Sequence, residues 1–224
     1  MFSPQRGTGL FYELPMLKSL MLLRRSLLSR LLAGAVLAGS SIAGSSAGDA
    51  QLDITAIRSA QRMARATEAE RTRFHAPYLL QGTPDTIGQL EVITEFRRLV
   101  LLTEGRLVAG DWTFASDTRA AAAAVMPWNG KVAIRARFRF HPHNIYTSAP
   151  PINIVLVEGP RAHEPLKLTA DPQFGLGSVP PVLTGVVVEA SFDAQAIGPR
   201  TVTIVLVGLG IPEVQRTVDL ASLR

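Results

Sequence analysis

The chain has 224 residues, 47% of them hydrophobic and 18% charged, enough apolar material for a sizeable core. It contains no cysteine, which excludes disulfides, thiolate catalysis and a lipid-modified cysteine. A formal net charge of +5 points to an anionic partner only until its distribution along the chain is read.

Arg6, Lys18, Arg24, Arg25 and Arg30 all precede a run from Leu31 to Ala47 that carries no charge. Basic residues, then the apolar "LLAGAVLAGSSIAG", then the small "SSA" ending at Ala47 follow the order of a secretory signal, with Met1 or Met16 as its start. "RRSLL", Arg24 to Leu28, resembles the centre of a twin-arginine signal. Export by the general or twin-arginine route, to the periplasm or the exterior, is therefore expected. Without residues 1–47 the chain keeps 18 basic and 17 acidic residues, a net charge of +1, so the case for nucleic acid falls away. The uncharged run approaches the roughly 20 residues of a membrane span, so an uncleaved leader is the one route to a membrane.

Asp53 to His75 is rich in Ala, Arg and Glu without Gly or Pro, which predicts a helix with a thin stripe of Ile54, Ile57, Ala60 and Ala64. A second helix is predicted between "TPD" and Gly110. Val92, Ile93, Phe96, Leu99, Val100 and Leu107 share its apolar face, and Glu91, Glu95 and Arg98 lie on a solvated one. This helix is expected to press Phe96 against a sheet. "SDTRAAAAAVMPWNG" reads as a third helix, capped by Ser116 or Asp117 and ended by Pro127 and Gly130.

At Lys131 the period changes to two. Val132, Ile134, Ala136, Phe138 and Phe140 share one strand face, and "INIVLVEG", "LTGVVVEASFD", "TVTIVLVGLG" and "VQRTVDL" follow as further strands. No helical pattern separates them, so antiparallel pairing in a β-sandwich is expected, with an immunoglobulin-like topology as the favoured form despite the absence of a Cys–Trp–Cys pattern. Residues 159–181 show no period and are expected to be packed irregular structure with one edge strand, using Leu166, Leu168, Phe174 and Leu176. The predicted organisation is α+β: an export signal at 1–47, a helical region at 48–130 packing on the sheet, and a β-sandwich at 131–224.

No phosphate loop, nucleophile elbow, paired zinc-histidine motif or calcium loop occurs. Two constellations remain. In "KVAIRARFRFHPH", Arg135, Arg137 and Arg139 share a strand face that His141 continues, at about 6.6 Å per step. Like charges in a row repel, so they need an anionic ligand, solvent, or an acidic neighbour strand. Glu189, Ser191 and Asp193 in "VVVEASFD" recur with the same period, which predicts an internal ladder against the arginines. The second constellation is metal-binding: His141 and His143, two apart, with His163 from the long loop, would suit Zn²⁺ or Cu²⁺. The expected function is thus a non-enzymatic binding or structural domain of the cell envelope, with an envelope protein or anionic ligand as partner. A metal-dependent enzyme built on the three histidines is the alternative.

Overall fold

The computed structural model describes residues 52–82, 87–141, 143–144, 146–175, 182–208 and 210–223. The leader read in residues 1–47, the "TPD" helix start and Leu176 lie outside them.

Asp53 starts helix α1 (Ile54–Ala64) by accepting from Ala56 N at 2.6 Å, and the helix buries Ile57, Ala60 and Ala64. The expected helix to His75 is in fact two. Thr67 and Glu70 form a capping box, which opens a new helix, α2 (Glu68–His75), with no buried residue. A 3₁₀ turn, Ala76–Tyr78, leads into the short strand β1 (Leu79–Leu80).

The next segment corrects the sequence reading. Ile87–Ile93 is strand β2, and the helix begins only at α3 (Glu95–Val108), where Thr94 accepts from Arg97 N. Val92 and Ile93 therefore belong to opposite faces of a strand rather than to a helical stripe. Helix α4 (Thr118–Val125) follows as predicted: Asp117 accepts from Arg119 N and Ala120 N, a 3₁₀ turn covers Met126–Trp128, and Gly130 turns the chain with φ +66°. Leu99, Val100 and Phe96 of α3 pack with Ile57, Ala60, Phe114, Ala121 and Val125 into a helical core.

The remaining strands are β3 (Lys131–Arg139), β4 (Ile152–Glu158), β5 (Arg161–His163), β6 (Lys167–Phe174), β7 (Leu183–Asp193), β8 (Thr201–Gly208) and β9 (Ile211–Asp219), with a short helix α5 (Ala194–Ile197) after β7. They form two antiparallel sheets, of strand order β1-β2-β3-β7-β6 and β5-β4-β8-β9. The fold is thus α+β, with helices beside antiparallel sheets. Two strands before Lys131 join the first sheet, so the helical and β portions interleave along the chain. The period-free stretch 159–181 supplies two edge strands, β5 and β6, one for each sheet. Leu166, Leu168 and Phe174 remain exposed and do not pack down.

Ile134, Phe138, Val188 and Phe192 of the first sheet share a second apolar core with Ile154, Leu156, Ile204 and Leu206 of the other. Each sheet covers the inner face of its partner. The expected docking of Phe96 on the sheet is not what forms: Phe96 lies in the helical core, and α3 meets the sheet through Arg97 and Arg98. Phe74 of α2 touches both cores and packs edge-on against Phe96, with ring centroids 5.9 Å apart.

Candidate functional site

Strand alternation sends Ile134, Ala136 and Phe138 inward and therefore sends Arg135, Arg137 and Arg139 to the outer face of the first sheet. The register places Arg135 between Glu91 on β2 and Glu189 on β7. Its Nε donates to Glu189 Oε2 at 2.8 Å and its Nη1 donates to Glu91 Oε1 at 3.4 Å. Helix α3 approaches the same two carboxylates from above. Arg97 Nη2 donates to Glu91 Oε2 at 2.6 Å, and Arg98 Nη2 donates to Glu189 Oε1 at 2.6 Å. The result is an unbroken alternation, Arg97–Glu91–Arg135–Glu189–Arg98, between helix and sheet.

Burial makes this network costly to form and costlier to break. Arg97 is only 2% exposed; its guanidinium also donates to Val92 O, receives the face of Tyr78 at 4.9 Å, and reaches His75 Nδ1 at 3.4 Å. His75 in turn faces Glu104 at 3.2 Å. Arg98 lies 3.5 Å from the ring centre of Trp128, a cation–π contact shielded from water. Desolvation pulls the pKa of both guanidiniums down, and Glu91 and Glu189 oppose that shift for Arg97 and Arg98 respectively. Glu91 and Arg98, expected on a solvated helical face, are therefore buried, each by its own ion pair.

The internal ladder expected for the arginine row forms at one rung. Arg137 lies opposite Val187 and Gln89, and Arg139 opposite Gly185. Asp193 stands opposite Lys131 instead. Both Arg137 and Arg139 are exposed, and among the described residues neither makes an ion pair. Arg139 lies across Gly88, where a Cβ would come within 2.7 Å of its Nε. Glycine at that strand position leaves the guanidinium its resting place, a role that a lone glycine inside an apolar strand pattern can signal in sequence.

His141 and His143 follow in the β3–β4 connection, exposed, with ring centroids 5.2 Å apart. His141 Nδ1 accepts from the His143 backbone N at 3.2 Å. Asn144 Nδ2 donates to His141 O and to Leu183 O, tying this connection to the start of β7. Tyr146 stacks near Phe140 at 5.1 Å, and its hydroxyl comes within 3.1 Å of the Cβ position at Gly210, in the β8–β9 turn. Tyr146 and Asn144 carried no periodic signal, because they act through the loop's tertiary contacts.

His163 does not join the other two histidines. It sits on β5 of the other sheet, its Nε2 at 3.3 Å from Glu158 Oε2, and Arg200 donates to the same carboxylate. That arginine, then the ring, holds the Glu158 pKa below the usual carboxylate range. Among the described residues no three His, Asp or Glu side chains gather closely enough to hold a metal ion. A depression at the opposite end of β3, lined by Thr94, Lys131, Val132, Gly198 and Pro199, has room of about 20 Å³, the size of one water. Among the described residues no helix is long and apolar enough to cross a membrane. Compared with known proteins, the chain matches no family model and no curated protein.

Proposed function

We propose that this is an exported, non-enzymatic binding domain whose anionic ligand seats on Arg137 and Arg139, at the end of the outer sheet face that the helices leave bare. One observation carries the reading. Arg135 is saturated by two carboxylates, whereas Arg137 and Arg139 on the same strand face make no ion pair among the described residues. Two free guanidiniums one strand-step apart offer forked donors to phosphate, sulfate or carboxylate groups.

The strand orders support the binding class. Orders β2-β3-β7-β6 and β5-β4-β8-β9 follow, strand for strand, the A-B-E-D and C′-C-F-G sheets of an immunoglobulin-like sandwich, with β1 added beside β2. The β3–β4 and β8–β9 connections then correspond to the loops that variable domains use for recognition. Arg139, His141, His143 and Tyr146 are at or in the first of these. The order of basic, apolar and small segments in residues 1–47 supports the export part of the proposal, to the periplasm or the exterior. A second reading keeps His141 and His143 as a pair of imidazoles for Zn²⁺ or Cu²⁺, favoured by their 5.2 Å ring separation.

Retention on a heparin-type sulfated polysaccharide tests the proposal. Changing Arg137 and Arg139 together to alanine should abolish salt-sensitive retention and leave the melting temperature almost unchanged. Arg135→Ala should do the reverse. Unchanged retention in the double variant would refute the site.

A further inference from the structure

Strand β6 is bare. It is hydrogen-bonded to β7 alone, all eight of its residues are exposed, and nothing among the described residues covers its outer edge. We infer that this edge pairs antiparallel with β6 of a second copy of the chain, around a two-fold axis through Thr169, joining two first sheets into one.

The backbone phase makes the edge competent. Phe140 N donates to Thr184 O at 3.0 Å, which continues the β3–β7 register as a hydrogen-bonded pair. Antiparallel ladders alternate, so even-numbered residues of β7 turn their backbone groups to β3 and odd-numbered ones to β6. The Thr169 hydroxyl bond to Glu189 O agrees with that phase. On β6 the partners of those odd residues are Lys167, Thr169, Asp171 and Gln173, so Leu168 and Ala170 direct their N–H and C=O outward. An unpaired row of this kind is a template for another strand.

The side chains choose the occupant and the register. Lys167 and Asp171 lie four apart on the outer face, opposite the uncharged Ser191 and Val187, and neither has an ion-pair partner among the described residues. A two-fold axis perpendicular to the sheet keeps each face on its own side, so only residues of like parity can meet. Centring on Thr169 sets Lys167 against Asp171 of the second copy, twice, and pairs Leu168 with Ala170 as reciprocal hydrogen-bonded residues. Centring on Ala170 would oppose Leu168 to Pro172, which has no N–H to give. Centring on Asp171 would oppose two carboxylates, and centring on Leu168 would leave Asp171 without its cation.

The ends of the ladder also match. In the Thr169-centred register Pro172 falls opposite Leu166, whose N–H is already donated to Ser191 O at 2.7 Å. No N–H is stranded there. On the inner face Leu168, now exposed, comes against Ala170 of the second copy. A second chain therefore answers the bare backbone, the two unpaired charges and the exposed Leu168 together.

Sedimentation of the purified protein, in the processed form that cells yield, tests this across a concentration series. The wild type should rise to twice the monomer mass; a monomer at every concentration overturns the inference. Ala170→Pro removes an outward N–H that no strand of its own chain uses, and should give a folded monomer that melts where the wild type does when diluted below its dimer constant. Thr169→Lys is a second route: beside Glu189 it suits its own sheet, yet it opposes two cations at the axis. Lys167→Asp and Asp171→Lys should each weaken the dimer at least tenfold, and the combined exchange should restore it. A dimer that survives Ala170→Pro and Thr169→Lys, or a combined exchange that restores nothing, overturns the edge or its register.

Discussion

The first sheet has two covered surfaces, and they are held by different physics. Its inner face meets the other sheet through Ile134, Phe138, Val188 and Phe192, an apolar contact that needs no particular partner atom. Its outer face meets helix α3 through Glu91, Arg135 and Glu189, where each charge is acceptable only because its counterpart is in place. The apolar face supplies stability that tolerates adjustment. The charged face supplies a single orientation of the helices on the sheet, because guanidinium forks and carboxylates meet in few geometries.

Substitutions on the two faces should separate these behaviours. The largest loss belongs to the inner face: Phe138→Ala should cost about 3–5 kcal/mol in chemical denaturation, as a buried large-to-small change. On the outer face Glu91→Ala should cost about 3 kcal/mol, chiefly because Arg97 is left buried beside Arg135 without its carboxylate. The distinguishing variant is Glu91→Leu combined with Arg97→Met. Removing both charges should recover most of the loss, as contacting residues couple. Equal losses in the single and double variants would mean that the ion pair itself, rather than its satisfaction, holds the helix.

The smallest effect is expected at the helix start. Glu95 is partly buried and accepts from Leu52 N and Gly130 N, both at 3.4 Å; desolvation raises its pKa against those bonds. For an acid raised in this way the folded state binds the proton more readily. The cost therefore appears as pH rises through the folded value and vanishes below the ordinary glutamate range near about 4.3. Glu95→Gln should give a small gain at neutral pH, within about 0.5 kcal/mol, that disappears as the pH is lowered below that range. A gain that grows on acidification would contradict this assignment.

The inner face was readable in the sequence, and the outer face only in its arginine row and the one rung to Glu189. Alternation from Val132 to Phe138 identifies β3, because that strand has one apolar side. Strand β2 escaped because both of its faces are covered: Leu90 and Val92 meet the core shared by the two sheets, and Glu91 and Ile93 are buried on the outer side. Its apolar residues then ran on into α3 and looked like one helix. Thr94 followed by Glu95 was the available signal for the true boundary. Strand β6 was expected only as one edge strand somewhere in residues 159–181, without bounds or partner, since a wholly exposed strand has no burial pattern to print on the sequence. At the candidate site, period two brought Arg135, Arg137 and Arg139 to one face. Which of them would be neutralised depended on Glu91 and Glu189 falling opposite Arg135, a matter of register that one strand's sequence does not contain.

The bond between Arg98 and Glu189 spans 91 residues of chain. A contact of such sequence separation closes a long loop and is reached late in folding. The helices are synthesised before β3 and β7, so they emerge without the surface that receives them. Arg97 can meet Glu91 six residues away as soon as β2 and α3 form, whereas Arg98 lacks its carboxylate until β7 has joined the sheet. Of the two arginines that seat α3 on the sheet, one is thus satisfied locally and the other only by a strand made 91 residues later, so the helix is fully fastened only when β7 is in place.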